Sequence, residues 1–445
     1  MMRLAGFAVL MALGACSWGS SDLDMGHPPL APAYLKDMPG EMRNGLAVNY
    51  TQADVGVINV PNLLVSSNGK RIETADDWLG TRRPEIRQLL IDNQYGVSPS
   101  VASTRKPTIK HDYSEHGVLA LNGTAMRSQS TVIASTAGGS HAIDVLLYTP
   151  ARATSPSPLV LMVNFSPNIV MVDDTGIKET DGWENGKRIP GRQARVIAKP
   201  DVAAYLARGY GVALVHYAQI EPDFDGGSAL GLRKIYGAVN EAGRKADEAG
   251  AIATWAEGLS LVREQLALDP SIDGRRIALY GVSRLGKTAL WAGANDPRFA
   301  AVVAISSGEG GAALSRRNYG ETIGHVAAAF PYWFSPKWNS FAPSPSSSPV
   351  DAHIVLAMLA PRPVMVIVGE TDAWSDPYGE FVAARLATPV YRLFGKVGVD
   401  GIPPLDVATR HDLVFMMHSA GHGPAPQDTP AILAFLDRNL QAEGS

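Results

Sequence analysis

The string Tyr280-Gly281-Val282-Ser283-Arg284-Leu285-Gly286-Lys287 lies between an apolar, strand-like run and a segment rich in Ala, Leu and Trp. A serine at a sharp turn from strand into helix presents its Oγ above a sheet, where a backbone N–H can meet a developing oxyanion; glycine beside it avoids Cβ clashes. The chemistry on offer is nucleophilic attack on an acyl carbon, and a hydroxyl of ordinary basicity needs a general base next to it. The second glycine stands three positions after Ser283 rather than two, so the G-x-S-x-G pattern is not strictly met. A serine in a tight connection is the plainer alternative. His422, in the glycine-rich string Ser419-Ala420-Gly421-His422-Gly423-Pro424, is the candidate base. His418 precedes it by four residues, a spacing that binds zinc on a helix, but Gly421, Gly423 and Pro424 argue against a helix there and no metal site is expected. His411 reads as a surface residue, and His353 as one that orders a loop by hydrogen bonding.

Positioning such residues takes a scaffold, and the pattern around them supplies one. Leu159 to Val163, Gly211 to His216, Arg276 to Tyr280, residues 300 to 306 and residues 363 to 368 are apolar runs of buried-strand length. Between them lie helical patterns at Asp201 to Arg208, at about Arg244 to Leu266, at residues 286 to 294 and at Pro430 to Leu440. Strands alternating with helices imply a mostly parallel sheet covered on both faces. Ahead of this come a helix entered near Arg83-Pro84-Glu85 and running to Tyr95, then a β-rich extension with strands at Thr131 to Ser135 and Ala142 to Tyr148. No internal repeat is visible, and the Ser/Pro cluster from Pro343 to Pro349 reads as a surface loop.

The 445 residues are 46% hydrophobic and 18% charged with a formal net charge of −4, which offers no electrostatic footprint for nucleic acid. No uninterrupted apolar stretch approaches the roughly 18 residues needed to span a bilayer. The single cysteine, Cys16, excludes an internal disulfide and a cysteine-rich metal site. Arg3 followed by the apolar run Leu4 to Leu13 has the length of a signal peptide. The run ends in Leu13-Gly14-Ala15-Cys16, which resembles a bacterial lipobox, and an ordinary secretory signal with a chance cysteine is the alternative. The expected organisation is a signal peptide over residues 1–15, lipidation at Cys16, a tether and extended arm over 16–53, and a catalytic domain over 54–445.

The string from Gly281 to Phe299 resembles the signature of the glucuronoyl esterases, carbohydrate esterase family fifteen, above all their bacterial branch. Arg82-Arg83-Pro84-Glu85 with Tyr95-Gly96, Gly209-Tyr210-Gly211, Glu221-Pro222-Asp223, Ser307 to Gly311, Ala360 to Pro363 and Asp372 to Pro377 look like the same family, in the same order. The resemblance runs from about residue 55 to the C-terminus. It implies an α/β-hydrolase fold with the chain order Ser, acid, His. It implies Ser283 as nucleophile, His422 as base and Arg284 as a charge-assisted oxyanion donor, a guanidinium that could otherwise make a surface salt bridge. Lys287, one helical turn beyond Ser283 on the same face, matches the family lysine that holds sugar hydroxyls; Glu321 matches a glutamate that accepts from them and Trp374 a tryptophan that flanks the sugar. A solvated loop glutamate and a core tryptophan are nearly equal alternatives for the last two.

In many members a glutamate stands just before the Ser-Gly-x-Gly-Gly string, where this chain has Ser306. Serine cannot carry the charge that stabilises an imidazolium. Asp372, after the strand at 363 to 368, is the expected acid, with Glu309 as the alternative; Asp376 is expected to cap a helix beginning near Pro377. The chain is thus expected to be an exported, monomeric serine esterase without cofactor. It would be lipid-anchored at the outer membrane or periplasmic. Its substrates would be esters of (4-O-methyl-)glucuronic acid, as in links between glucuronoxylan and lignin. The alternatives are an acetyl xylan esterase or other polysaccharide esterase, and a catalytically silent carbohydrate-binding lipoprotein.

Overall fold

The computed structural model describes residues 35–237 and 243–441. The signal peptide expected over 1–15, Cys16 and the first part of the expected tether lie outside the described residues. Within the remainder of that arm, β1 (Glu41–Arg43) and β2 (Leu46–Val48) pair as an antiparallel hairpin, and Tyr50 meets Tyr319 edge-on at 6.0 Å.

The principal sheet has nine strands. Three long antiparallel ones, β3 (Thr108–Ala120), β4 (Ala125–Thr136) and β5 (Gly139–Pro150), form one flank. The others are β6 (Ser157–Asn164), β9 (Gly211–His216), β10 (Ile272–Val282), β11 (Ala301–Ile305), β12 (Val364–Gly369) and β13 (Leu413–His418), while β7 (Asp181–Glu184) and β8 (Lys187–Pro190) form a separate hairpin. The order is β13-β12-β11-β10-β6-β9-β5-β4-β3, parallel from β13 to β9 and antiparallel beyond. The central parts of the parallel strands, such as residues 159–163 and 277–282, are apolar because helices cover both faces there. Trp255, Leu259, Trp291 and Phe381 pack on one side, Tyr205, Ile432, Phe435 and Leu436 on the other.

Two helices differ from the sequence pattern. The pattern places one from about Arg244, yet it begins at Ala251 and ends at Leu266. Gly250 is extended and lies so close to Trp333 that a Cβ would stand 2.0 Å from its carbonyl oxygen, so the chain cannot coil there. Arg244 turns back instead, donating to the carbonyls of Glu248 and Ala249. The helical run before Tyr95 begins at Ala75, not near Arg83, and passes through two wider π turns, Trp78–Arg82 and Ile91–Tyr95. Those turns bury Trp78 and Tyr95, and the Tyr95 ring stacks on Trp291 at 3.9 Å.

A buried ion pair fixes the loop after β9. Arg233, 2% exposed, grips Glu221, 1% exposed, through Nε at 2.8 Å and through Nη2, and its Nη1 donates to Ala249 O at 2.7 Å. Glu221 leads directly into Pro222 and Asp223, which faces the site. Removing one partner leaves a buried charge uncompensated. Glu221→Gln is expected to lower unfolding free energy by about 3–5 kcal/mol, read from denaturant titration.

Candidate active site

Ser283 caps the Arg284–Asn295 helix with φ 56° and ψ −127°, a strained backbone of the kind that costs on the order of 1–3 kcal/mol. Its N–H donates to Ile305 O at 2.7 Å, tying the turn to the end of β11. Gly281 is required: a Cβ there would lie 2.1 Å from Leu285 O. At Gly286 a Cβ would come within 3.2 Å of both Ile305 O and Ser307 Cβ, so the displaced second glycine serves helix packing against the end of β11. The turn is therefore a strand-elbow-helix despite its irregular spacing.

Ser283, Arg284 and His422 line one cleft of about 600 Å³, together with Phe165, Trp183 and Tyr217. Asp372 Oδ2 accepts from His422 Nδ1 at 2.7 Å, the pairing by which a carboxylate fixes the orientation of an imidazole. Burial alone would raise the Asp372 carboxyl, but hydrogen bonds from His422, Ser375 and Ser306 outweigh it and hold it below the ordinary value. Ser306, itself at φ 47°, occupies the place of the family glutamate, bonding Asp372 and accepting from Gly423 N–H at 3.2 Å. It joins the two loops that carry acid and base.

Glu309 is elsewhere. It is 3% exposed and accepts from Ser315 Oγ, and burial, with the charges of Asp351 and Glu321 adding to it, pushes its carboxyl well above the usual range. Its hydrogen bond is to Ser315, whereas His422 is bonded to Asp372. His418 and His422 do not converge on a common point: His418 is buried with Nδ1 on Asp428 at 2.9 Å and Nε2 near Gly421 O. His353 ties Pro61 O at 2.9 Å, and Asp376 accepts from Gly379 N–H at the start of the Pro377–Leu393 helix.

Arg284 is held by Asp223, whose other donors are Trp333 Nε1 at 2.7 Å, Tyr332 Oη at 3.0 Å and Tyr217 Oη at 3.0 Å. The guanidinium lies 4.8 Å from the Trp333 ring centre and 5.6 Å from that of Phe165. Burial opposes its charge, and Asp223 more than offsets that penalty. Its Nε is buried and makes no hydrogen bond among the described residues. Lys287, 3% exposed, donates to Ser307 O at 2.7 Å and lies 3.6 Å from Glu321. Glu321 N–H bonds Trp374 O at 2.8 Å, so Lys287, Glu321 and Trp374 form one contiguous group. Arg43 of the N-terminal hairpin sits 4.3 Å over the Trp374 ring, and His325 meets it edge-on. Asp223, the Tyr332-Trp333 pair and Arg43 were not assigned roles from sequence. Only Asp223 left a trace, inside the Glu221-Pro222-Asp223 string.

Fold and site together define a serine hydrolase of the α/β-hydrolase type. Residues 195–395 match the family described as glucuronyl esterase of fungi. A carbohydrate esterase from an unknown prokaryotic organism is 33% identical over 403 residues, covering 88% of this chain and 92% of the relative. The 4-O-methyl-glucuronoyl methylesterase of Podospora anserina is 26% identical, over 83% of this chain and 66% of its own. The solved glucuronoyl esterase from Solibacter usitatus is 34% identical with a TM-score of 0.81, over 87% of this chain and 100% of its own. The chain belongs to the glucuronoyl esterase family, whose members are carboxylic ester hydrolases.

The geometry separates the two candidate acids. Asp372→Asn is expected to lower kcat by about 10²- to 10⁴-fold, because Asn permits the wrong imidazole tautomer. Glu309→Gln is expected to leave kcat within a few-fold of wild type. Steady-state kinetics on benzyl glucuronate checks both, and a larger loss at Glu309 moves the acid there.

Proposed function

We propose that this protein hydrolyses esters of (4-O-methyl-)glucuronic acid, of the kind that link glucuronoxylan to lignin alcohols, through an acyl-enzyme on Ser283. The observation that carries this reading is the Lys287–Glu321 pair, 3.6 Å apart and one helical turn from the nucleophile, where donor and acceptor can both meet sugar hydroxyls. The names of the relatives support it, a 4-O-methyl-glucuronoyl methylesterase among them.

His422 takes the proton of Ser283 Oγ as that oxygen attacks the carboxyl carbon of the ester. The negative charge that appears on the carbonyl oxygen meets Arg284, already fixed by Asp223, and the first amide N–H of the helix. His422 then gives its proton to the departing alcohol, and Asp372 stabilises the imidazolium in between. Water, deprotonated by the same histidine, releases the uronic acid and restores Ser283. The aromatic side of the cleft, with Phe165 and Trp183, is open to the alcohol.

Arg284 meets charge present only in the transition state, whereas Lys287 holds sugar throughout. Arg284→Ala is therefore expected to lower kcat by about 10²-fold or more on both benzyl glucuronate and 4-nitrophenyl acetate. Lys287→Ala is expected to raise KM for the glucuronate ester and to spare the acetate. Equal losses on both esters at Lys287 would remove it from sugar binding.

We further propose that the protein is exported and anchored through a lipidated Cys16, on the pattern Leu13-Gly14-Ala15-Cys16. Two acyl chains hold a soluble domain at a bilayer where a single short one does not. Cys16→Ala is expected to move the protein from the membrane to the soluble fraction, and an unmodified cysteine by mass spectrometry of the mature protein would end the idea.

A further inference from the structure

The Pro377–Leu393 helix carries a carboxyl that the mechanism above does not use. Glu380 is 0% exposed, and its Oε1 accepts from Gly308 N–H at 2.6 Å and from Ser307 Oγ at 3.1 Å. Its Oε2 has no partner. Both donors belong to the loop that leaves β11, which doubles back through positive φ at Ser306 (47°) and Gly308 (56°). Such a turn keeps its shape only if its surroundings over-determine it. The loop faces two ways. Ser306 bonds Asp372 and receives Gly423 N–H, whereas the Ser307 carbonyl accepts from Lys287 at 2.7 Å.

We propose that Glu380 is a positioning residue: by holding Ser307 and Gly308 it aims Ser306 at Asp372 and the Ser307 carbonyl at Lys287, so that one buried carboxyl sets both the acid–base pair and the sugar-side lysine. The inference rests on the roles given to Asp372 and Lys287 above. Glu380 serves as a neutral acid near neutral pH, since a charge at a fully buried carboxyl is costly. Burial pushes it up to about 8, the charge of Asp372 adds to this, and the two loop hydrogen bonds and Lys287 pull against it. The charged groups around it are Lys287 on the neighbouring helix, Asp372 after β12, and, one turn earlier on its own helix, Asp376, which is paired with Arg317 at 2.6 Å.

A neutral glutamine keeps the acceptor oxygen, and leucine removes it. Glu380→Gln is expected to hold kcat within about threefold of wild type at pH 7, while Glu380→Leu lowers kcat about tenfold or more and also raises KM for benzyl glucuronate but not for 4-nitrophenyl acetate. The folded protein keeps a proton on Glu380 that the unfolded chain releases above its ordinary 4.5, so this group stabilises most below 4.5 and that contribution fades as pH rises to about 8. The melting temperature of wild type is therefore expected to decline across this window more steeply than that of Glu380→Gln. The melting comparison decides the matter if the leucine variant fails to fold. Parallel melting slopes for wild type and Glu380→Gln, a glutamine variant as impaired as the leucine one, or a folded leucine variant with wild-type kinetics would each overturn the proposal. Full activity of Asp372→Asn or Lys287→Ala would instead sink the underlying site assignment, whatever Glu380 does.

Discussion

The rest of the site depends on the backbone of Ser283, forced into a conformation that L-residues avoid. That turn is clamped from three sides: its own N–H reaches Ile305 O, the absent side chain of Gly281 lets Leu285 O close in, and Gly286 fits under the end of β11. Because the clamp couples β10, β11 and the following helix, the positions of Arg284 and Lys287 follow from it. Both are on the first turn or so of the helix that Ser283 opens.

Charge is handled by pairing each cation before substrate arrives. Arg284 is met by Asp223, and Lys287 by Glu321 and a carbonyl. A preorganised cation need not reorganise when negative charge develops, which is why such arrangements stabilise transition states better than water does. Aromatic rings from Phe165, Phe330 and Trp333 surround the Arg284 guanidinium, lowering its hydration and keeping it planar to the site.

β13 was not assigned, although it is as apolar as the other five parallel strands, which were legible in sequence because strands buried on both faces must be apolar without alternation. So was the elbow, since Gly281 and Ser283 answer a local steric demand. The contact of Asp372 with His422 follows from the place of Asp372 just after β12, the neighbour of β13. What stayed hidden was decided by contacts between distant segments. The start of the Ala251–Leu266 helix is set by Trp333 pressing on Gly250, and no pattern near residue 244 announces it. Asp223 meets Tyr332 and Trp333, more than 100 residues away, and Glu380 meets a loop 72 residues upstream. β3 was missed because only one of its faces packs, so polar residues interrupt its pattern.

That same edge strand has a consequence for how the molecules behave in a crowd. An open sheet margin is a template on which another chain can add by backbone pairing. Here the margin is interrupted by register shifts between Tyr113 and Glu115 and again between Glu115 and Val118, and it carries Lys110 and Asp112 as an exposed ion pair. The irregular, charged rim offers no flat row of amides for a neighbour to extend. Backbone pairing along the β3 edge is therefore disfavoured.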